Sequence, residues 1–150
     1  MDHESLAFMI AVLRKHFVAF CTEKLAELDV TYGQLFILIA VDKKPGCAPK
    51  EIAAYLKLDA GHLNRTLGKL IEKELITQKK NSNDRRANIL HLTEKGTQVV
   101  TKSRQLFHAW DDAVLHDIDE DSRQALMNVM KTIVTTLNPS NGGTNNEPIK

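Results

Sequence analysis

Apolar residues recur at helical spacing along nearly the whole chain, and that period breaks only once. Leu6, Met9, Leu13, Phe17, Phe20, Leu25 and Leu28 fall at steps of three to five, which predicts an amphipathic helix from Ser5 to Leu28. Thr31 is placed to cap a second helix carrying Leu35, Leu38 and Ile39, which Pro45-Gly46 ends. After a short extended piece, Pro49 opens a third helix with Ile52, Ala53 and Leu56 inward. Asp59-Ala60-Gly61 leads into a fourth, with Leu63, Leu67, Leu70 and Ile71 on one face and His62, Arg65, Lys69 and Glu72 on the other.

The break comes next. Leu75 to Lys80 and Ala87 to Leu92 are short, rich in Ile, Leu and Thr, and bracket a polar loop, which reads as a β-hairpin. Thr93 then caps a long helix to about Asp117, with Val99, Val100, Leu106, Phe107, Trp110 and Val114 apolar. Asp119 caps a last helix holding Leu126, Met130, Ile133 and Leu137. Two short helices joined by a tight turn and followed by a hairpin make a winged helix-turn-helix. The fold class is therefore mainly α with a small β-hairpin wing. The expected organisation is an N-terminal dimerisation helix over 1–30 and the winged domain over 31–96. C-terminal dimerisation helices over 97–137 and a disordered tail over 138–150 follow. The long terminal helices need a partner for their apolar stripes, most simply the same helices of a second chain.

Net charge is only +1, but it is segregated: −1 over residues 1–49, +6 over 50–104 and −4 over 105–150. A basic middle between acidic flanks fits a nucleic-acid surface. No stretch reaches the ~20 apolar residues a membrane span needs, and "MDHESLAFMI" lacks a basic leader region, so a cytoplasmic protein without membrane contact is expected. Cys21 and Cys47 form no CxxC pair. His108, Asp112 and His116 follow one another at i, i+4, i+8, a row that solvated helix faces also carry, and no metal is assigned. No catalytic triad, phosphate loop or paired-carboxylate site is recognisable. Neither an enzyme nor a cofactor is expected.

Within the basic third, a recognition helix must bury one stripe and offer small or polar side chains to base edges at its N-terminal end. Ala60 and Gly61 leave room for close approach, His62, Asn64 and Arg65 offer hydrogen bonds, and Lys69 suits a phosphate. The loop "NSNDRR" adds Ser82, Asn83, Asp84, Arg85 and Arg86. A wing can set an arginine in a narrow minor groove, where the potential is most negative. Asp84 is spaced to hold Arg86 in a fixed direction by a charge-assisted pair. A solvated hairpin would carry similar charges. A winged-helix protein-interaction module with an acidic partner is the alternative reading.

"LDAGHLNRTLGKLIEKELI" (58–76), "NDRRANILHLTEKG" (83–96) and "TYGQLFIL" (31–38) together resemble the MarR family of transcriptional regulators, over about residues 5–137. The resemblance implies a homodimeric regulator, a repressor or an activator, on double-stranded DNA with a palindromic operator. Its first and last helices would interlock, the Asp84/Arg86 wing would enter the minor groove, and the helix from about Ala60 to Glu74 would read a half-site. It also implies a small aromatic or lipophilic effector between the two lobes. Phe17, Phe20 and Phe107 are the candidate lining, with His16 as a polar contact and Cys21 beside them. Some members of the family sense oxidants through a cysteine in the first helix, so a thiol switch at Cys21 on the same scaffold stays open. A small core cysteine is the other reading of that residue.

Overall fold

The computed structural model describes residues 4–84 and 88–138. Helix α1, Leu6–Leu25, starts at Ser5, whose hydroxyl accepts the Phe8 N–H at 3.4 Å. It does not run on to Leu28. A 3₁₀ turn, Ala26–Leu28, follows, and Asp29 takes a left-handed backbone with φ of 53°. Leu25 and Val30 are both buried, so the chain has to reverse between them to reach the core twice.

Helix α2, Tyr32–Lys43, begins with a reciprocal cap: Thr31 Oγ1 accepts the Gln34 N–H and Gln34 Oε1 accepts the Thr31 N–H, both at 3.1 Å. Leu35, Ile37, Leu38, Ala40 and Val41 are all buried, which makes α2 the spine of the core. Helix α3, Pro49–Leu56, uses proline where an N–H would have no partner, and Glu51 reaches back to the Ala48 N–H at 2.8 Å. Helix α4, Ala60–Glu72, buries Leu63, Leu67 and Leu70. Ile71, expected on that face, is 38% exposed, because three inward leucines already fill the stripe.

Strands β1, Ile76–Lys80, and β2, Asn88–Leu92, pair antiparallel from Ile76↔Leu92 to Lys80↔Asn88. The extended piece before α3 joins their edge. Gly46 N–H donates to Leu90 O at 2.9 Å, and Leu90 N–H donates to Cys47 O at 2.8 Å. Helix α5, Glu94–Val114, and helix α6, Glu120–Leu137, complete the order, with Asp119 capping α6 through the Ser122 N–H at 3.0 Å.

The chain forms two compact units, one ending at Trp110 and one starting at Asp111. The first holds a continuous core from α1 through the start of α5. In the second, no residue of α6 is buried. The expected tail lies at 138–150, and all of it beyond Asn138 falls outside the described residues.

Candidate nucleic-acid interface

Asp59 fixes where α4 begins. Its carboxylate accepts the His62 N–H at 3.0 Å and leaves the first turn free to face outward. With Leu63, Leu67 and Leu70 turned in, Ala60, His62, Asn64, Arg65 and Lys69 are all exposed on the same helix. Gly61, expected from the sequence to leave room for close approach, lies in the first turn among these side chains. A Cβ there would meet Asp59 Oδ2 at 3.2 Å and an Arg65 guanidinium nitrogen at 3.3 Å. The absent side chain therefore lets Arg65 lie along the first turn.

The hairpin stands beside α4 in sequence and in packing. Ser82, Asn83 and Asp84 are exposed, and Asn81 Oδ1 accepts the Asn83 N–H at 3.0 Å in a side-chain-mediated turn. Arg85 and Arg86, assigned to the wing tip from sequence, lie outside the described residues, as does Ala87. Lys79 and Lys80 were not singled out by sequence reasoning, although the "KK" pair at the loop's edge was there to be read. Both are exposed at the end of β1. Lys50 and Lys57 are also exposed, at the two ends of α3.

The run Thr93-Glu94-Lys95-Gly96, part of the quoted motif, has a structural purpose. Thr93 Oγ1 donates to Glu74 O at 2.6 Å and accepts the Gly96 N–H at 3.0 Å, while Lys95 Nζ donates to Lys73 O at 3.1 Å. A Cβ on Gly96 would overlap the Leu75 carbonyl oxygen. The start of α5 is thus seated on the backbone that leaves α4, and only glycine allows that distance.

The residues assigned to an effector separate into three environments. Phe17, Phe20 and Phe107 are half-buried, His16 is exposed, and Cys21 is wholly buried. Phe17 lies 5.4 Å from Phe107, 5.1 Å from Trp110 and 6.0 Å from Tyr32, ring centroid to centroid. Phe36 completes the cluster, 4.9 Å from Tyr32 and 6.2 Å from Phe107. Tyr32, Phe36 and Trp110 were missed because α1, α2 and α5 bring them together across long sequence separations. Burial pushes the Cys21 thiol up to about 11. A sensing thiol needs the opposite shift and an open approach.

A sequence model of the MarR family matches residues 28–87. The HTH-type transcriptional regulator BilQ of Clostridium symbiosum (strain WAL-14163) is 32% identical over 133 residues, covering 89% of this chain and 92% of that protein. Among solved structures, the reduced form of MarR from E. coli superposes with a TM-score of 0.79 at 25% identity, over 86% of this chain and 96% of that one. The transcriptional repressor CouR bound to a 23-mer DNA duplex gives 0.75 at 25% identity, over 87% and 93%.

Proposed function

This chain belongs to the MarR family of transcriptional regulators, and from that premise we propose that it is a ligand-responsive repressor binding a palindromic operator as a homodimer. The observation that carries the DNA-reading role is the outward face of α4. Exposed His62, Asn64, Arg65 and Lys69 stand around the small residues Ala60 and Gly61, over a wholly apolar inner stripe. Arg65 suits the O6/N7 edge of guanine and Asn64 the N6/N7 edge of adenine, while Lys69 lies a turn further along for a phosphate. The exposed loop residues Ser82, Asn83 and Asp84 would approach the neighbouring minor groove, and the sequence assigns Arg85 and Arg86 to the same contact. Lys79 and Lys80 add phosphate contacts at its base. The CouR–DNA complex, on the same fold, supports this docking.

Dimerisation is supported by apolar side chains left in solvent on each unit. On α1, Leu6, Met9, Ile10, Val12 and Leu13 are 40–51% exposed, and on α6 Leu126, Met127, Val129, Val134 and Leu137 are 39–72% exposed. Because these side chains are already partly covered, burying the remainder of each is worth roughly half of the ~1.5–3 kcal/mol of full burial. That gain suffices to hold two subunits whose reading helices then address two half-sites.

The half-buried aromatic cluster of Phe17, Tyr32, Phe36, Phe107 and Trp110 supports a small aromatic or lipophilic effector. His16 and Phe20 are proposed at its margin. Such a ligand acts only through differential affinity for the DNA-competent and incompetent states. The test is selection of bound sequences from a random duplex pool, repeated with a phenolic carboxylate. The expected result is an enriched inverted repeat whose retention falls with ligand. A pool that never enriches would refute the DNA-reading role, and an enriched site indifferent to such ligands would refute the effector.

A further inference from the structure

We propose that Lys73 is a positioning residue that locks α4 onto the α1–α2 junction and thereby sets which half-site spacing the protein accepts. The inference rests on the DNA-reading role proposed for α4 and on the homodimer proposed with it. Lys73 is the residue on which α4 ends. Its Nζ donates to the Asp29 carbonyl oxygen at 2.6 Å and to Gln34 Oε1 at 3.3 Å, and lies 3.6 Å from the Asp29 carboxylate.

Both hydrogen-bond acceptors are themselves held. Gln34 is only 6% exposed, and the same Oε1 is fixed by the Thr31 N–H in the α2 cap. The Asp29 carbonyl is aimed by a left-handed backbone, a conformation that costs free energy in a non-glycine residue and persists only where its surroundings over-determine it. An ammonium has three donors, and this cradle presents three oxygens. The carboxylate is the weakest of them. It is 89% exposed, and exposed ion pairs contribute little.

The same turn of chain is held from the other side through its own backbone carbonyls, which accept from two side chains. Lys95 donates to the Lys73 carbonyl and Thr93 to the Glu74 carbonyl, and Glu74 is left-handed with φ of 59°. The last turn of α4 is therefore gripped through a side chain by the α1–α2 junction and through its carbonyls by α5. Ala60 lies about 20 Å away along the helix, at ~1.5 Å per residue. A tilt of only a few degrees at Lys73 moves the reading side chains by more than ~1 Å, enough to misplace a bidentate hydrogen bond. Residues that touch no base can in this way decide the separation of the two reading helices.

The test measures the affinity of the full-length chain for its selected operator and for versions with one base pair inserted or removed between half-sites. Wild type and Asp29→Asn, which keeps the backbone carbonyl, should each discriminate against the altered spacings by roughly tenfold or more, since one base pair rotates and displaces a half-site. Lys73→Met keeps the aliphatic stem but loses every donor, and its discrimination should fall below about threefold, with Lys73→Arg recovering part of it. Should the Met variant not fold, Lys73→Gln, too short to reach the Asp29 carbonyl, is read the same way. Equal weakening at all spacings, with discrimination unchanged, would mean that Lys73 only stabilises the fold and would overturn the inference. Failure of wild type to select any duplex would overturn the DNA-reading role itself, a result visible before any Lys73 variant is tested.

Discussion

Arg65 and Gly61 act as one device at the residue scale. The glycine's missing side chain gives the guanidinium its place over the first turn of α4. Gly61→Ala puts the better helix former in the first turn but crowds the Asp59 cap, so the two effects offset and folding stability should change by less than about 1 kcal/mol. The new Cβ would sit 3.2 Å from Asp59 Oδ2, the oxygen that caps α4 through the His62 N–H, and 3.3 Å from the Arg65 guanidinium. DNA affinity should nevertheless fall, through displacement of Arg65 and loss of clearance for the base edges. Thermal unfolding and operator titration on one preparation separate the two effects, and a variant both more stable and tighter-binding would show that the glycine is incidental. Cys21 poses the opposite case, a reactive group made inert. With its thiol pushed up to about 11, it should resist alkylation at pH 8 in the native protein and react once the chain is unfolded. The linkage has a definite sign. An acid with a raised folded pKa favours the folded state while protonated, so its contribution is intact below the ordinary value of 9.0 and is lost between there and about 11. Cys21→Ser should remove that alkaline loss, as read by unfolding free energy against pH. Rapid native-state alkylation would instead restore the thiol-switch reading.

At the scale of elements, the wing holds the sharpest contrast between charge and orientation. Arg86→Ala should cost about 1–3 kcal/mol in DNA affinity and flatten discrimination at A·T positions flanking each half-site. Arg85→Ala should weaken all sequences alike and lower the salt slope by about 0.9 per contact. Asp84→Ala removes an acid near DNA, so Coulomb repulsion alone predicts tighter binding, whereas loss of arginine orientation predicts weaker binding. Tighter and equally selective binding would leave the acid with no purpose beyond solvating the hairpin. The existence and order of these elements were legible because their signals are local. Thr31 with Gln34, Asp59 with His62, and Asp119 with Ser122 are caps within three residues of each other, and the change of period at Ile76 needs no distant partner. What was not legible depends on partners far away in the chain. The end of α1 at Leu25 follows from the reversal into α2, the exposure of Ile71 from the three leucines already packed beside it, and the Lys73 cradle from contacts 44 and 39 residues apart. The sequence marked the exposed polar face of α4, yet Tyr32, Phe36 and Trp110 surfaced only once three helices were packed together.

For the whole molecule, the proposed homodimer is argued from the apolar side chains exposed on α1 and α6. Ile133 is only half-exposed, so a charge there threatens the subunit's own packing, whereas Val129 on α6 is 57% exposed and Leu13 on α1 is 51% exposed. Val129→Asp and Leu13→Asp should leave helical content intact while shifting the protein from dimer to monomer in sedimentation at micromolar concentration. A wild type that sediments as a stable, well-folded monomer would remove the dimer from the account, and with it the inverted repeat. The central claim remains that α4's outward face reads base edges, and a titration of wild type and Arg65→Ala against the selected operator and its single-base variants tests it most directly. The predicted result is a loss of about 1–3 kcal/mol for Arg65→Ala, confined to relaxed selectivity at one position in each half-site, with the salt slope nearly unchanged. Equal affinity of the two proteins for every duplex, with no base preferred by wild type, would contradict it.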